Sequence, residues 1–291
     1  MTINENSTNG KSTIPENASA TEGFRRKYGP WALITGASSG IGAEFARQLA
    51  QEGLNLILVA RRKERLEGLA NDLKIQHGIQ VKIVPLDLSR PDFRTSLRPI
   101  TDSLEIGLLI NNAGVSVEGE FLKNNLDDEL NMLDINCRAP LILAHELGQK
   151  MTTRKRGGII FLSSMAGYQG APFRNTYAGT KAFNLLLAEG LGYELKNKGV
   201  DVLAVSPGFT ITEMIEGVDF SHTPIKPMHA KPVVASALKA LGHKSSVIPG
   251  AMNQLLNFLG KYLFTRSLNT AIFGKIMEKL DQANSPLGIT E

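Results

Sequence analysis

Tyr177 and Lys181 lie one helical turn apart in the stretch Tyr177-Ala-Gly-Thr-Lys181. If this stretch is helical, both side chains lie on one face. A free tyrosine has a pKa of about 10 and exchanges protons poorly near neutral pH, whereas a nearby ammonium group favours the phenolate and lowers that pKa. The pair could therefore serve as a general acid and base. The same spacing also occurs by chance on ordinary exposed helices, so the rest of the chain has to decide between the two interpretations.

A glycine-rich turn near the start of the chain has the sequence context of a phosphate-binding loop. An apolar run at 31–34 predicts a buried strand, and an amphipathic pattern at 41–52 predicts a helix. Glycines between such elements let backbone N–H groups approach a pyrophosphate at the helix N-terminus. The alternative is a plain turn between strand and helix. We predict that the turn binds a dinucleotide through Gly36, Ser38, Ser39, Gly40, Ile41 and Gly42.

Two arginines follow the second predicted strand, 55–60. An acidic residue at this place would accept hydrogen bonds from a ribose 2′-OH and would repel a 2′-phosphate. This chain instead has Ala60 followed by Arg61 and Arg62, and the planar guanidinium group suits phosphate. The sequence therefore predicts NADP(H) as the cofactor in preference to NAD(H). The alternative is that both arginines are ordinary surface residues at the start of a helix.

Short apolar strands alternate with helical patterns along most of the chain. Further strands are predicted at 81–85, 108–110, 158–162 and 200–205, with an edge strand at 247–249. This alternation is typical of an α/β fold, a three-layer α/β/α Rossmann-like doubly wound parallel sheet of about seven strands in the order 3-2-1-4-5-6-7. The ligand crevice should lie at the carboxyl ends of the strands. The chain places Asp87, Leu88, Asn112, Ala113, Gly114, Ser164, Pro207 and Gly208 there. Asp87 could bind an adenine amino group or cap the next helix.

Composition is that of a globular protein without a nucleic-acid footprint. The chain has 291 residues, 42% hydrophobic content and a net charge of +4, with no long basic run. Its single cysteine, Cys137, excludes an internal disulfide and favours a reducing, cytoplasmic location. We expect a buried, inert thiol there, and no metal site. The expected organisation is a disordered polar tail at 1–23, one catalytic domain at 24–250 and an apolar helical extension at 251–291.

Taken together, these motifs resemble those of the short-chain dehydrogenase/reductase family over roughly residues 28 to 210. The matching pieces, in chain order, are Thr35-Gly-x-x-x-Gly-Ile-Gly42, Asp87-Leu88, Asn111-Asn-Ala-Gly114, Asn136, Ser164, Tyr177-x-x-x-Lys181 and Pro207-Gly208. The resemblance implies a catalytic relay of Asn136, Ser164, Tyr177 and Lys181. Ser164 is preferred to Ser163 because thirteen residues separate it from Tyr177, as is usual in the family. Thr210 stands where the family commonly has an aliphatic residue behind the nicotinamide.

What the resemblance implies is an oxidoreductase that uses NADP(H). Hydride would pass between the nicotinamide and a carbonyl or secondary alcohol, with Tyr177 as general acid and base. Lys181 would lower the pKa of Tyr177 and hold the nicotinamide ribose, Ser164 would bind the substrate oxygen, and Asn136 would position a water. Family members are commonly homodimers or homotetramers, here expected to assemble through 127–154 and 177–198. One alternative is a non-catalytic NADP(H)-binding regulatory protein on the same fold. Another is an isomerase or epimerase that holds its cofactor tightly.

The last forty residues are more apolar than ordinary surface helices. Stripes of apolar side chains at 251–264 and 265–280 predict two helices that cover a substrate pocket or pack on a partner subunit. The alternative is peripheral membrane contact, with Lys261, Arg266, Lys275 and Lys279 near lipid head groups. An apolar lining would favour a hydrophobic substrate. The preceding segment, 209–230, could be a lid over the substrate or a plain surface connection.

Overall fold

A computed structural model describes residues 16–221 and 226–284. Its centre is one sheet of seven parallel strands in the order β3-β2-β1-β4-β5-β6-β7, as the sequence predicts. The strands are β1 Trp31–Thr35, β2 Asn55–Ala60, β3 Val81–Pro85, β4 Ile106–Asn111, β5 Gly157–Leu162, β6 Val200–Val205 and β7 Ser246–Val247. Order reverses between β1 and β4, which pair directly, so the crevice of this doubly wound sheet opens there.

Helices connect the strands and extend the chain beyond the sheet. They are α1 Glu16–Tyr28, α2 Gly40–Gln51, α3 Lys63–His77, α4 Phe93–Ser103, α5 Leu126–Leu133, α6 Ala139–Arg154, α7 Asn175–Leu195, α8 Ala230–Ala240, α9 Ala251–Tyr262 and α10 Arg266–Asn284. The predicted polar tail at 1–23 therefore overlaps α1, and its residues 1–15 lie outside the described part of the chain.

Both faces of the sheet are buried, which explains why its strands are almost continuously apolar. Alternate residues of a strand point to opposite faces. Ile34 and Leu58 pack in the cluster that includes side chains of α2, α3 and α8, whereas Leu33 and Ile57 pack with those of α4, α6 and α7. The sheet is thus clamped between two helical layers, and its strand ends are held in fixed register.

The long helix predicted from Asp127 to about Arg154 is present, but it contains an irregular turn that was not predicted. The chain forms α5, then a π-helical turn at Asp134–Arg138, and then α6. A π turn holds one more residue than an α turn and rotates the side chains that follow. The fully buried Asn136 lies in this turn, where its amide finds polar partners on a neighbouring loop. The polar residue at the helix centre thus marks the irregularity.

Helices α9 and α10 form a hairpin against the loop that follows β5. The Asn269 amide of α10 donates to the carbonyl of Gly260 in α9 at 2.6 Å. A side chain at Gly170 would contact Thr270, and one at Gly274 would contact Pro172, so the hairpin approaches this loop closely. Within residues 16–221 and 226–284, no helix is long and apolar enough to cross a membrane.

Candidate active site

The carboxyl ends of the strands open into one cavity of about 1670 Å³. The glycine turn, the segments after β2, β4, β5 and β6, and helices α9 and α10 all contribute to its walls. Typical small-molecule pockets have volumes of about 300–1000 Å³. The cavity therefore has room for two ligands side by side, which a reaction between a dinucleotide and a substrate requires.

The glycine turn is built so tightly that side chains are excluded from it. Gly36 and Gly40 have φ angles of 65° and 54°, in the left-handed region that favours glycine. A Cβ atom at Gly42 would lie 2.2 Å from the Gly36 carbonyl oxygen, so a larger residue cannot fit there. Backbone N–H groups at the start of α2 are consequently left open to the cavity, as a phosphate site needs.

Asn112 holds this turn from the neighbouring strand end. Its side-chain amide donates to the carbonyl oxygens of Thr35 and Gly36, at 2.9 and 3.2 Å. The Thr35 hydroxyl accepts from the backbone N–H groups of Asn112 and Ala113, both at 3.0 Å, and donates to the Ile110 carbonyl. Thr35 was not singled out from the sequence, although it opens the glycine motif. The two residues fasten β1 to β4 where the crevice opens.

The two arginines after β2 point to different neighbours. Arg62 donates to the hydroxyl groups of Ser38 and Ser39, each at 2.9 Å, so it lies against the glycine turn. The same guanidinium group forms an ion pair of 2.6 Å with Glu213, a carboxylate from the segment after β6. Arg65 of α3 also pairs with Glu213. Neither Glu213 nor Arg65 was foreseen, because their pairing joins positions far apart in the chain.

Arg61 is exposed and its charge acts on Asp87 at the end of β3. Asp87 accepts hydrogen bonds from the N–H and the hydroxyl of Ser89, at 3.0 and 2.8 Å, in a local turn. Partial burial raises the pKa of Asp87, but the Ser89 hydrogen bonds and the charges of Arg61 and Arg90 outweigh it and lower the pKa overall. Asp87 does not cap α4, which begins at Phe93. The capping alternative is therefore excluded.

Tyr177 and Lys181 lie in the first two turns of α7, both buried against the cavity. The Lys181 ammonium is 5.5 Å from the centre of the Tyr177 ring, so the two face one another as the spacing predicted. The Ser164 hydroxyl lowers the pKa of Tyr177, so it lies beside the phenol, and it accepts from the Ala166 N–H at 3.2 Å. The adjacent Ser163 is turned away and donates to the Lys181 carbonyl. The structure thus brings Ser164, Tyr177 and Lys181 together.

The pKa of Tyr177 differs from the sequence-based expectation. Burial is the largest influence and raises the pKa of the phenol. The neighbouring Ser164 hydroxyl and the charge of Arg174 act in the opposite direction, and Glu118 adds to the rise. Arg174, whose side chain is only 10% exposed, is paired with Glu118 at 2.5 Å. The cation that opposes the rise is therefore Arg174, three residues before Tyr177, which sequence analysis missed.

Lys181 is held by the end of β5. Its ammonium group donates to the Leu162 carbonyl at 2.9 Å, and burial lowers its pKa to about 8. Burial also raises the pKa of the nearby Cys137 thiol to about 11, against the opposing charge of Lys181. Cys137 therefore stays protonated at neutral pH, in agreement with the expectation of an inert thiol.

Asn136 ties three segments together below the cavity. Its side chain accepts from the N–H of Val115 and donates to the carbonyl of Val115, both at 2.9 Å, and it also donates to the Thr180 hydroxyl. Its own backbone carbonyl accepts from the Asn184 amide at 2.8 Å. Asn136 thus supports the segment after β4 and helix α7. Asn184 was missed because it lies on an otherwise apolar face of α7.

The segment after β6 forms the remaining wall. The Pro207 carbonyl accepts from the Met165 N–H at 3.0 Å, which joins it to the turn after Ser164. Thr210 is buried and its hydroxyl donates to the Gly208 carbonyl, so this polar residue is satisfied within its own turn. Part of the described segment 209–230 lines the cavity, including Phe209, Met214 and Met228, which favours the lid interpretation over a plain surface connection. Residues 222–225 lie outside the description.

Comparison with known proteins agrees with this geometry. The profile of the short chain dehydrogenase family matches residues 30–220. Over 237 residues the chain is 33% identical to a 7beta-hydroxysteroid dehydrogenase from Clostridium sardiniense, covering 79% of this chain and 89% of that one. It is 37% identical over 229 residues to a very-long-chain 3-oxoacyl-CoA reductase from Neurospora crassa, covering 76% and 68% of the two chains.

Among solved structures, a short-chain dehydrogenase from Sphingobium yanoikuyae in complex with NADPH superposes with a TM-score of 0.70. That protein is 30% identical, and the match covers 90% of this chain and 98% of the other. The chain belongs to the short-chain dehydrogenase family and is an oxidoreductase with a nicotinamide-cofactor-binding Rossmann fold.

The lowered pKa of Lys181 predicts how stability responds to pH. Between the folded pKa of about 8 and the ordinary value of 10.5, the unfolded chain binds more protons than the folded one, so stability gained from this group rises with pH. We expect the unfolding free energy of the wild type, relative to Lys181→Met, to increase by about 2 kcal/mol from pH 7.5 to 9.5. Chemical denaturation at the two pH values measures it. Parallel pH dependence of the two proteins would contradict the assignment.

Proposed function

We propose that this protein is an NADP(H)-dependent oxidoreductase that reduces a carbonyl, or oxidises a secondary alcohol, on a hydrophobic substrate, with Tyr177 as general acid and base. The observation that carries the proposal is the convergence of Tyr177, Ser164 and Lys181 on one cavity that also contains the glycine turn. A protein that only binds a dinucleotide needs no buried tyrosine beside a hydroxyl and an ammonium group. The convergence thus argues against the regulatory alternative.

The residues of the cavity suit a nicotinamide dinucleotide. At the glycine turn, side chains are excluded, so backbone N–H groups are exposed where a pyrophosphate would lie. At the other end, a Cβ atom on Gly114 would lie only 3.3 Å from the Lys181 ammonium, so this glycine keeps the approach to Lys181 open. When bound, the cofactor supplies the hydride. Pro207, Gly208 and Thr210 would contact the nicotinamide, and Asp87 and Leu88 the adenine.

In the proposed reduction, Tyr177 gives its proton to the substrate oxygen, and in oxidation it removes one from the alcohol. Ser164 donates a hydrogen bond to the same oxygen as negative charge develops on it. Lys181, held at the Leu162 carbonyl, contributes a cation beside the phenol and reaches the ribose hydroxyls. Asn136 acts by holding the backbone of Val115 and the hydroxyl of Thr180, and in the proposed mechanism it also positions a water.

The proposed preference for NADP(H) depends on the anion site made by Arg62 and Arg65. Both guanidinium groups converge on the Glu213 carboxylate, and Arg62 also reaches Ser38 and Ser39 of the glycine turn. Two guanidinium groups and two hydroxyls beside the ribose position suit a 2′-phosphate. Glu213 would compete with that phosphate for the arginines. Arg61, beside Asp87, would contribute a longer-range charge.

The substrate half of the cavity is lined by apolar side chains of α9 and α10, which supports a hydrophobic substrate. Leu256, Phe264 and Ile272 line it directly. This supports the interpretation that the C-terminal extension covers the pocket. Other apolar side chains of the hairpin, such as Tyr262 and Leu263, are 63% and 66% exposed, and peripheral membrane contact remains the alternative role for them. We place the protein in the cytoplasm as part of the same proposal.

A homodimer or homotetramer is proposed from exposed apolar side chains on the helices α5, α6 and α7. Leu130, Leu141, Leu186 and Tyr193 are all exposed in the single chain, Tyr193 by 88%. Large apolar side chains grouped on neighbouring helices mark an interaction surface more often than a bare solvent face. Association of two copies through these helices would cover them.

Replacing Tyr177 by phenylalanine removes only the hydroxyl. We expect turnover of ketones to fall about 10²- to 10⁴-fold, the usual contribution of general acid–base catalysis, because no other group of the cavity is placed to replace the proton donor. NADPH affinity, measured by fluorescence titration, should not change. Tyr262→Phe, which removes the hydroxyl of an exposed tyrosine that does not line the cavity, serves as the matched variant. Near-normal activity of Tyr177→Phe would rule out the mechanism.

The cofactor preference is tested by Arg62→Ala. Loss of a charge-assisted contact to phosphate should raise KM for NADPH by at least about tenfold and leave KM for NADH unchanged. Glu213→Gln should lower KM for NADPH, since the competing carboxylate is gone. Lys63→Ala, which removes a neighbouring charge paired with Glu67, is the control. Equal effects of Arg62→Ala on the two cofactors would contradict the assignment.

The assembly is tested by Leu186→Glu, which introduces charge on α7 at a side chain 65% exposed in the single chain. We expect light scattering after size-exclusion chromatography to give an oligomer for the wild type and a monomer for the variant. Ile75→Glu, at a still more exposed position of α3 outside the proposed surface, should leave the oligomer intact. A monomeric wild type would refute the assembly, and so would an unchanged mass for Leu186→Glu.

A further inference from the structure

The corner between α9 and α10 places two cations on the cavity wall. Lys261 is in the last turn of α9 and Arg266 is the first residue of α10, and both side chains are exposed. Both residues line the same cavity as Tyr177. In the part of the chain that the structure describes, neither forms an ion pair with a carboxylate, and the Lys261 ammonium lies 5.2 Å from the Tyr262 ring.

The carboxylates of the cavity are already engaged elsewhere. Glu118 is paired with Arg174, Glu213 with Arg62 and Arg65, and Asp87 accepts from Ser89. Positive charge at the α9–α10 corner is therefore left without a protein counter-charge on the described cavity wall. Lys226, on the segment before α8, is a further cation of the lining. A cavity of this kind attracts anions, since its low-dielectric walls strengthen the field.

The corner belongs to the substrate half of the cavity. Its neighbours on the wall are apolar: Leu256, Leu259, Phe264, Ile272, Phe273 and Ile276. The charge of Lys261 also acts on Tyr168. Burial raises the pKa of this tyrosine, and Lys261 acts in the opposite direction. Tyr168 ends the short helical turn that Ser164 caps, so Lys261 borders the substrate half of the cavity and not the glycine turn. The glycine turn and the proposed phosphate site of Arg62 are built from other elements.

We propose that Lys261 and Arg266 bind an anionic group at the end of the substrate remote from its carbonyl. The natural substrate is then a hydrophobic ketone or alcohol that carries a carboxylate or a phosphate group. Its apolar body lies along α9 and α10, and its oxygen lies at Tyr177 and Ser164. This inference rests on the proposed carbonyl chemistry. It adds a binding contact for the end of the substrate that takes no part in the reaction.

Two matched substrate pairs separate charge from shape and carboxylate from phosphate. One pair is a keto-steroid carboxylic acid and its methyl ester. The other is a long-chain 3-oxoacyl thioester on 4′-phosphopantetheine and the same acyl group on uncharged pantetheine. With NADPH, the wild type should have a KM for at least one charged member about tenfold below that of its neutral partner, as two cations acting together on one anion allow. The pair that shows the difference identifies the anion.

The variant Lys261→Gln/Arg266→Gln should raise KM for the charged member about tenfold, leave kcat unchanged and have no effect on the neutral member. Lys275→Gln/Lys279→Gln removes two exposed cations of α10 outside the cavity and should change nothing. Thermal stabilisation by each charged member is measured in parallel, because it reports binding even without turnover.

The outcomes distinguish the inference from the function on which it rests. Equal KM values and equal thermal stabilisation for charged and neutral members would overturn the inference, as would an unchanged preference in the double variant. Absence of NADPH-dependent turnover of every ketone, with stabilisation by the charged member that the double variant loses, would overturn the proposed function and leave the anion site standing. Loss of both turnover and stabilisation would overturn both.

Discussion

The hydrogen bonds of Asn136 are the constraint on which the candidate site depends. One fully buried side chain satisfies both backbone groups of Val115 and also holds Thr180, and its carbonyl receives Asn184. Because an unpaired buried amide is costly, each of these partners is fixed in place. The π turn is what allows one residue to serve so many partners. The irregular backbone of the π turn thus positions Asn136 so that it can hold α7 beside the strand ends.

The fold was predictable because its signals are local. A short apolar strand, a glycine turn and an amphipathic helix can each be recognised from neighbouring residues. Their alternation along the chain then predicts the parallel sheet. Residues of the site at strand ends, such as Ser164 and Asn112, were predictable for the same reason. The pairing of Arg62 and Arg65 with Glu213 joins positions about 150 apart, and no local pattern indicates such a contact. The π turn was missed because a single polar residue is its only trace in the sequence.

Burial has opposite effects on the two central groups of the site. It raises the pKa of Tyr177 and lowers that of Lys181 to about 8, because each charged form loses hydration. In the protein alone, Tyr177 therefore favours the neutral phenol, and Lys181 exchanges its proton at a pH only slightly above neutral. A phenol that keeps its proton is suited to donate it to a substrate oxygen, whereas proton removal needs additional positive charge nearby. Arg174 supplies part of that charge, and its pairing with Glu118 limits the contribution.

With the proposed function, the residues that carry the chemistry lie within the family profile, whereas those that select the substrate lie beyond its end. The family profile ends at residue 220, while the apolar wall and the charged corner of the cavity belong to α9 and α10. Side chains of the sheet are packed on both faces, so a change there disturbs the strand register and the catalytic group together. Phe273 of α10 packs against the cluster that contains Tyr177, whereas the lining side chains Leu256 and Ile272 lie outside the buried clusters. With the proposed function, substitutions of Leu256 or Ile272 can therefore alter which substrate enters without moving Tyr177, so substrate choice is physically separable from catalysis at these positions of the hairpin.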